Sequence, residues 1–182
     1  DHILNKTGNM LIRYEPHNVA VVIDKEKAGK TVHDVLGYGG TIPVVDSFRN
    51  ALSLNPDTLV IGNAPQGGFI SPEYRAGILS AIKNNCNVIS GMHVFLNDNE
   101  EIKETAVKHN VTLNDLRRPP DPPHFPKGSW KDRKIPVLLT VGTDCDSGKM
   151  TTAWEISVYL QKRGRNAKFI GTGQTGILLG GC

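Results

Sequence analysis

The chain has 182 residues, of which 38% are apolar and 21% charged, the balance of a water-soluble globular protein with one large domain or two small ones. Its net charge of +3, with no Lys/Arg cluster on one periodic face, argues against a nucleic-acid partner. The longest apolar runs, Val19–Ile23 and Val137–Leu139, fall far short of the ~20 residues that a membrane span needs.

The opening Asp1–Met10 is polar, lacks the layout of a signal peptide and has no initiator Met, so further N-terminal chain is expected. Val19–Ile23 is an unbroken apolar run and reads as a strand buried on both faces. Gly37-Tyr-Gly-Gly40 invites a dinucleotide-fingerprint reading, which fails because the spacing is incomplete and the run precedes a strand. Thr41–Val45 is that strand, with Pro43 moving it towards an edge. Asp46-Ser47 is expected to cap a short helix to about Leu54, and Asn55-Pro56-Asp57 to turn into a strand over Thr58–Ile61.

Ser71-Pro72-Glu73 is a strong helix start: a hydroxyl N-cap, Pro at the first helical position and an acid near the positive end of the dipole. That helix carries Ala76, Leu79, Ala81 and Ile82 to about Asn85, and Asn87–Ser90 follows as a strand. Asp98 with Glu101 three residues on predicts a capping box for a helix to about His109, and Val111–Leu116 closes the unit as a strand. The alternation predicts βαβ units and a parallel sheet.

Six of the eleven prolines then fall within Pro119–Pro136, a stiff, extended stretch that reads as a linker over 119–134 between domains 1–118 and 135–182. Beyond it, Ile135–Val141 is expected as a strand, Lys149–Arg163 as a helix with Gly164 past its end, and Asn166–Ile170 as a second strand. So few elements cannot bury a core, so the chain is expected to be a fragment or to complete this domain by association, with a homo-oligomer anticipated. The three cysteines, Cys86, Cys145 and Cys182, show neither metal-ligand spacing nor a disulfide framework, which suggests a reducing cytoplasm.

The stretch Gly142-Thr-Asp-Cys-Asp-Ser-Gly148-Lys149-Met150-Thr151-Thr152 carries the chemistry. Strand, glycine-rich turn, Gly-Lys and helix stand in the order of a phosphate-binding P-loop, in which backbone N–H groups and a helix N-terminus converge on an anion and the lysine meets the outer phosphate oxygens. The site set is therefore Thr143, Asp144, Cys145, Asp146, Ser147, Gly148, Lys149, Met150 and Thr151. Two features depart from the ordinary loop. Five residues separate Gly142 and Gly148 instead of four, and Met150 stands where nucleotide hydrolases place a magnesium-holding hydroxyl. A thioether is a soft ligand and magnesium is hard; Thr151 would replace the hydroxyl only if the helix were rotated by ~100°. The loop is expected to bind phosphates well and magnesium-ATP poorly. Asp144 and Asp146 either turn outward, hold a metal or act on a substrate amine. Cys145 reads as a packed thiol, since no His stands near it in sequence.

Val141–Ala153 and Gly171-Thr-Gly-Gln-Thr-Gly-Ile-Leu178 together resemble a P-loop family long catalogued only as a domain of unknown function, some of whose members are D-amino-acid (D-glutamate) N-acetyltransferases. Its P-loop domain is similar to dethiobiotin synthetase, which has the same five-residue spacing but a Thr after the Lys. Ala20–Asp24, Ala28-Gly29, Asp34–Gly37, Gly40–Pro43, Asp57–Gly62, Ala64–Gly68, Ser90–His93 and Leu116–Pro120 resemble the family's Rossmann-like leading domain. The resemblance covers nearly the whole chain; family members continue well past Cys182, and the Gly180-Gly-Cys182 end departs from their pattern. It implies an α/β fold, Rossmann-like followed by a P-loop domain, and acetyl-CoA as the donor, whose pyrophosphate and 3′-phosphate suit a P-loop without a magnesium hydroxyl. The alternatives are an ATP-dependent ligase or kinase of dethiobiotin synthetase type and a non-catalytic nucleotide-binding module.

Open α/β sheets bind ligands at the carboxyl ends of their strands. The loops Gly62–Gly68 and Ser90–His93 leave neighbouring strands there, and their backbone N–H groups, Gly67 and Gly68 among them, suit a substrate carboxylate; Gln174 is assigned to the same substrate. His93 is the general-base candidate for an amine that must lose a proton before acyl transfer, against the simpler assignment of a hydrogen-bonded structural histidine. Asp144 is the second catalytic candidate. Arg117 and Arg118 either meet a carboxylate or phosphate or form a solvated pair. Donors for the oxyanion of acyl transfer have no assignment.

Overall fold

The computed structural model describes residues 5–63, 70–123, 125, 127–144 and 147–181. The chain divides into two compact units, Asp1–Arg117 and Arg118–Cys182.

The first unit opens on a helix that the polar start does not announce, α1 (Lys6–Tyr14), which buries Thr7 and Ile12. β1 (Val22–Ile23) pairs in parallel with β2 (Val44–Val45), Val22 opposite Val44. The expected strand over Val19–Ile23 is thus shortened and is not buried: Ile23 is 39% exposed. Among the described residues β1 has a strand partner on one side only, and its apolar run lines a cleft. Pro43 precedes β2 and its carbonyl accepts from Val22 N at 3.0 Å, a role open to a residue without an N–H.

Between these strands lies α2 (Val32–Leu36). Thr31 Oγ1 accepts from Asp34 N at 3.2 Å, and Asp34 Oδ2 accepts from Thr31 N at 2.9 Å and from Thr31 Oγ1 at 2.7 Å, a reciprocal capping box. Gly37 ends the helix at φ 77°, and Gly39 at φ 87° lies where a Cβ would stand 2.5 Å from Val32 Cγ1. The Gly37–Gly40 glycines therefore serve a helix end and a close contact. α3 (Phe48–Ala51) follows and continues as a 3-10 turn, Leu52–Leu54. Ser47 does not cap α3 through its side chain; its hydroxyl donates to Asp46 Oδ1 at 2.7 Å, and Asn50 Nδ2 donates to the same oxygen.

The second sheet is β3 (Thr58–Ile61), β4 (Asn87–Ser90) and β5 (Leu113–Asp115), parallel and in that order. α4 (Pro72–Lys83) joins β3 to β4, with Ser71 Oγ accepting from Tyr74 N at 3.2 Å. Its buried residues are Ile78, Ala81 and Ile82. α5 (Glu100–Lys108) joins β4 to β5. Its N-cap is Asn99, whose Oδ1 accepts from Ile102 N at 3.1 Å; Asp98 instead ends a 3-10 turn, which moves the helix start one residue on. Ile61, Ile78, Ile82, Val88, Met92, Leu96, Ile102 and Ala106 form the main core beneath this sheet. Smaller clusters form around Ile12, Val32 and Val44, and around Phe48, Ala81 and Cys86.

In the second unit the described elements are a 3-10 turn at Ser129–Asp132, α6 (Lys149–Lys162) and α7 (Gln174–Leu178). Among the described residues no strand pairing involves 135–141 or 166–170, where sequence predicts two strands. Apolar periodicity marks an extended segment, whereas a strand also needs a neighbour for its N–H and C=O groups. Leu139 and Val141 are accordingly 79% and 78% exposed. α6 ends as expected, with Lys162 in its last turn and Gly164 beyond it at φ 73°. No helix among the described residues is long and apolar enough to cross a membrane.

Candidate functional site

The loop before α6 is held from both sides. Thr140 Oγ1 donates to Lys149 O at 3.0 Å, tying the incoming segment to the first turn of the helix. Gly148 is the N-cap at φ 81°, a left-handed conformation that glycine adopts without strain. Thr152 N donates to Gly148 O at 2.9 Å, the first intrahelical bond. The N–H groups of Lys149, Met150 and Thr151 precede that bond, and Gly148 brings no side chain to cap them. They stand at the positive end of a 14-residue helix, the electrostatic setting that favours an anion.

Lys149 lies back across the loop. A Cβ on Gly142 would meet Ser147 Oγ at 2.7 Å and Lys149 Cγ and Cδ at 3.2 Å, so the lysine stem runs directly over that glycine. Lys149 Nζ donates to Asp144 O and, at 3.0 Å, to Ser147 Oγ. Ser147 Oγ in turn donates to Asp144 O at 3.0 Å. Thr143, Asp144 and Ser147 are exposed, while Met150 and Thr151 are half-buried. The structure therefore brings Ser147 and Lys149 together on the Asp144 carbonyl. Cys145 and Asp146 lie outside the described residues.

Gln174 is the first residue of α7 and is half-buried. The glycines around it pack against each other: a Cβ on Gly171 would stand 2.7 Å from Gly176 C, and Gly181 N donates to Gly176 O at 2.9 Å. Part of the Gly171–Gly176 run thus turns the chain closely on itself.

In the first unit, Ile61 of β3 stands opposite Ser90 of β4, so Gly62 and Gly91 leave the sheet at the same end. Gly67 and Gly68 lie outside the described residues. His93 is exposed on a loop that is fixed beneath it. Ser90 Oγ accepts from Met92 N at 3.2 Å, and Met92 and Leu96 are fully buried. Asp115, at the end of β5, accepts from Leu96 N at 2.8 Å, Asn97 N at 3.1 Å and Asn97 Nδ2 at 2.7 Å. Arg117 Nε donates to Gly91 O at 2.6 Å. Arg117 therefore braces this loop through Nε and is part-buried there. Asp115 escaped the sequence reading because the N–H groups that it accepts lie far from it in the chain.

A cleft of about 690 Å3 also opens in this unit, lined by β1, β3 and the residues that follow each strand. Cys86 is buried, its thiol donating to Pro56 O at 3.0 Å, and burial pushes its pKa up, so it is an inert core thiol.

Parallel strands with helical crossovers followed by a phosphate loop on a helix define an α/β protein with a Rossmann-like domain and a P-loop domain. Residues 25–119 match the family model described as the Rossmann-like domain DUF1611_N, a domain of unknown function, and residues 124–182 match its P-loop domain, DUF1611_C. The chain belongs to the DUF1611 family. It is 37% identical over 135 residues to a D-glutamate N-acetyltransferase of Pseudoalteromonas sp, which spans 74% of this chain and 40% of that protein. It is 35% identical over 146 residues to a D-glutamate N-acetyltransferase of Tritonibacter scottomollicae, spanning 80% and 43%. The crystal structure of a DUF1611 family protein from Anabaena variabilis is similar with a TM-score of 0.90 at 32% identity, over 98% of this chain and 52% of that one. The chain thus spans less than half the length of the curated relatives it matches and about half of the solved one.

Proposed function

We propose that this protein is an acetyl-CoA-dependent N-acetyltransferase acting on a free amino acid of the D-glutamate type. The observation that carries the reading is the pair Lys149–Met150: a lysine laid across the phosphate loop, followed by a thioether where magnesium-dependent nucleotide enzymes keep a hydroxyl. The Lys149 ammonium rests on two neutral oxygens of its own loop. Phosphate oxygens would replace these neutral acceptors with anionic ones, adding an ion pair to the hydrogen bonds. Lys149, Ser147 and the N–H groups of residues 149–151 fit the phosphates of CoA and require no metal there. The names of the two curated relatives support the same reading.

Acetyl-CoA supplies an acetyl thioester: the amine nitrogen bonds to its carbonyl carbon, the C–S bond breaks, CoA leaves as the thiol and one proton passes to a base. The sequence candidates for that base are His93, exposed on a loop braced by Asp115 and Arg117, and Asp144.

Calorimetry with acetyl-CoA and with magnesium-ATP, side by side, tests the proposal. Acetyl-CoA is expected to bind without magnesium. Lys149→Ala is expected to weaken it about ten- to a hundredfold, the span for losing one charge-assisted contact. Magnesium-dependent ATP binding with no affinity for CoA would replace this reading with an ATP-dependent ligase or kinase.

A further inference from the structure

Among the described residues β1 is hydrogen-bonded on one side only, to β2, and β3 on one side only, to β4. Among the described residues no ladder joins β1 to β3, yet both line the 690 Å3 cleft. That volume falls within the ~300–1,000 Å3 of small-molecule sites. From β1 the chain goes on to β2 on one side of the cleft, and from β3 to β4 and β5 on the other. Such a reversal of strand order is where open α/β sheets take ligands, at the carboxyl ends of the strands.

The chemistry at that end is specific. Lys25 follows β1, Glu73 stands in the first turn of α4 after β3, and the Lys25 ammonium is paired with the Glu73 carboxylate. The carboxyl ends on both sides of the cleft therefore share one mouth, spanned by an ion pair whose two side chains are each 68% exposed. An exposed pair contributes little to stability, so a ligand can part it at little cost to the fold. Asn63, just past β3, donates its amide to Tyr74 Oη at 3.2 Å. Its Oδ1 is shielded from water, and among the described residues it accepts from no donor. Buried acceptors are almost always paired, so this one marks a place for a donor. Tyr74, used here as an acceptor, retains a hydroxyl proton to give. Of the neighbouring carboxylates, Asp24 Oδ1 accepts from Glu26 N and Lys27 N, and Asp46 Oδ1 from Ser47 and Asn50.

We propose that the cleft between β1 and β3 binds a free α-amino acid as its zwitterion, its carboxylate on Lys25 and Tyr74 and its ammonium on Glu73 and Asn63 Oδ1, in place of the Lys25–Glu73 pair. A phosphate would set like charge against Glu73, and a simple cation on Glu73 would leave Lys25 with only the weaker attraction of Asp46. A molecule carrying one charge of each sign satisfies both. Val22, Ile61 and Ile78 supply apolar wall further in. The assignment rests on the reading of an amino acid as the acceptor substrate, but binding at the cleft needs no acyl donor and is tested without one.

The test is calorimetry with a panel of free amino acids, D-glutamate first, and with glutarate, which lacks the ammonium, in the absence of CoA. The variants are Lys25→Met, Glu73→Gln and the reversed pair Lys25→Glu/Glu73→Lys, each checked by thermal melt. D-glutamate is expected to bind the unaltered protein, and glutarate more weakly by about ten- to a hundredfold. Each single variant is expected to lose a similar factor. The reversed pair is expected to melt like the unaltered protein and still lose binding, because Asn63 and Tyr74 then face the wrong ends of the ligand. Failure of every amino acid to bind, or unchanged affinity in the variants, would overturn the assignment. Amino-acid binding without acetyl transfer would leave the cleft standing and remove the transferase reading. Undiminished acetyl transfer by Lys25→Met would do the reverse.

Discussion

At residue scale, the two glycines that bracket the phosphate loop have different tasks. Gly148 takes a left-handed φ of 81°, while Gly142 gives the Lys149 stem room to fold back. Gly142→Ala should therefore displace Lys149 or Ser147 without touching any core. We expect a loss of acetyl-CoA affinity comparable to that of Lys149→Ala, with thermal stability within about 0.5 kcal/mol of the unaltered protein. Unchanged affinity by calorimetry would show that the lysine stem does not need that space. Both glycines were legible in the sequence, because Gly-Lys after an apolar run is a local pattern. Asp115 and Arg117 were not. The partners of Asp115 lie 18 and 19 residues away and that of Arg117 lies 26 away, and no local pattern encodes a pairing that the parallel sheet creates.

At element scale, the helices with side-chain caps were read most closely where the cap is unambiguous. Ser71-Pro72 placed α4 correctly, whereas Asp98 and Asn99 compete for one cap and the backbone chose Asn99. The reciprocal box of α2 makes a pH-dependent prediction. Hydrogen bonds from the Thr31 hydroxyl and N–H hold the Asp34 carboxyl below its ordinary value of 3.8. A carboxylate with a depressed folded pKa stabilises fully above the unfolded value and loses that contribution as pH falls through the folded one. The protection factors of the Val32–Leu36 amides, taken against the intrinsic exchange rate at each pH, should thus be constant from neutrality to about pH 5 and fall only below the usual carboxylate range. An Asp34 carboxyl that titrates at its ordinary value by NMR would show that the box contributes nothing to α2. The apolar stretch 135–141 makes the converse point: its composition is that of a strand, and only a neighbour turns such a segment into one.

At the scale of the whole molecule, the chain forms two compact units that divide between Arg117 and Arg118, so the proline-rich stretch opens the second unit. Lys127, Lys131, Arg133 and Lys134 are exposed there, outside the α-helices and strands. Limiting trypsin is expected to cut first between Lys127 and Lys134, leaving a first-unit fragment identifiable by mass; a first cut inside 72–115 would contradict the division. The order of β1 to β5 and of helices α3 to α6, the Gly142–Lys149 loop and the family resemblance were legible in the sequence alone, because each rests on patterns local to a stretch of chain. Tertiary structure decided which edges stay unpaired, that β1 and β3 flank a cleft, that Lys25 meets Glu73 across its mouth, and that Asp115 and Arg117 hold the loop of His93. Each of these is a contact between residues far apart in the chain, brought together by the crossovers of a parallel sheet.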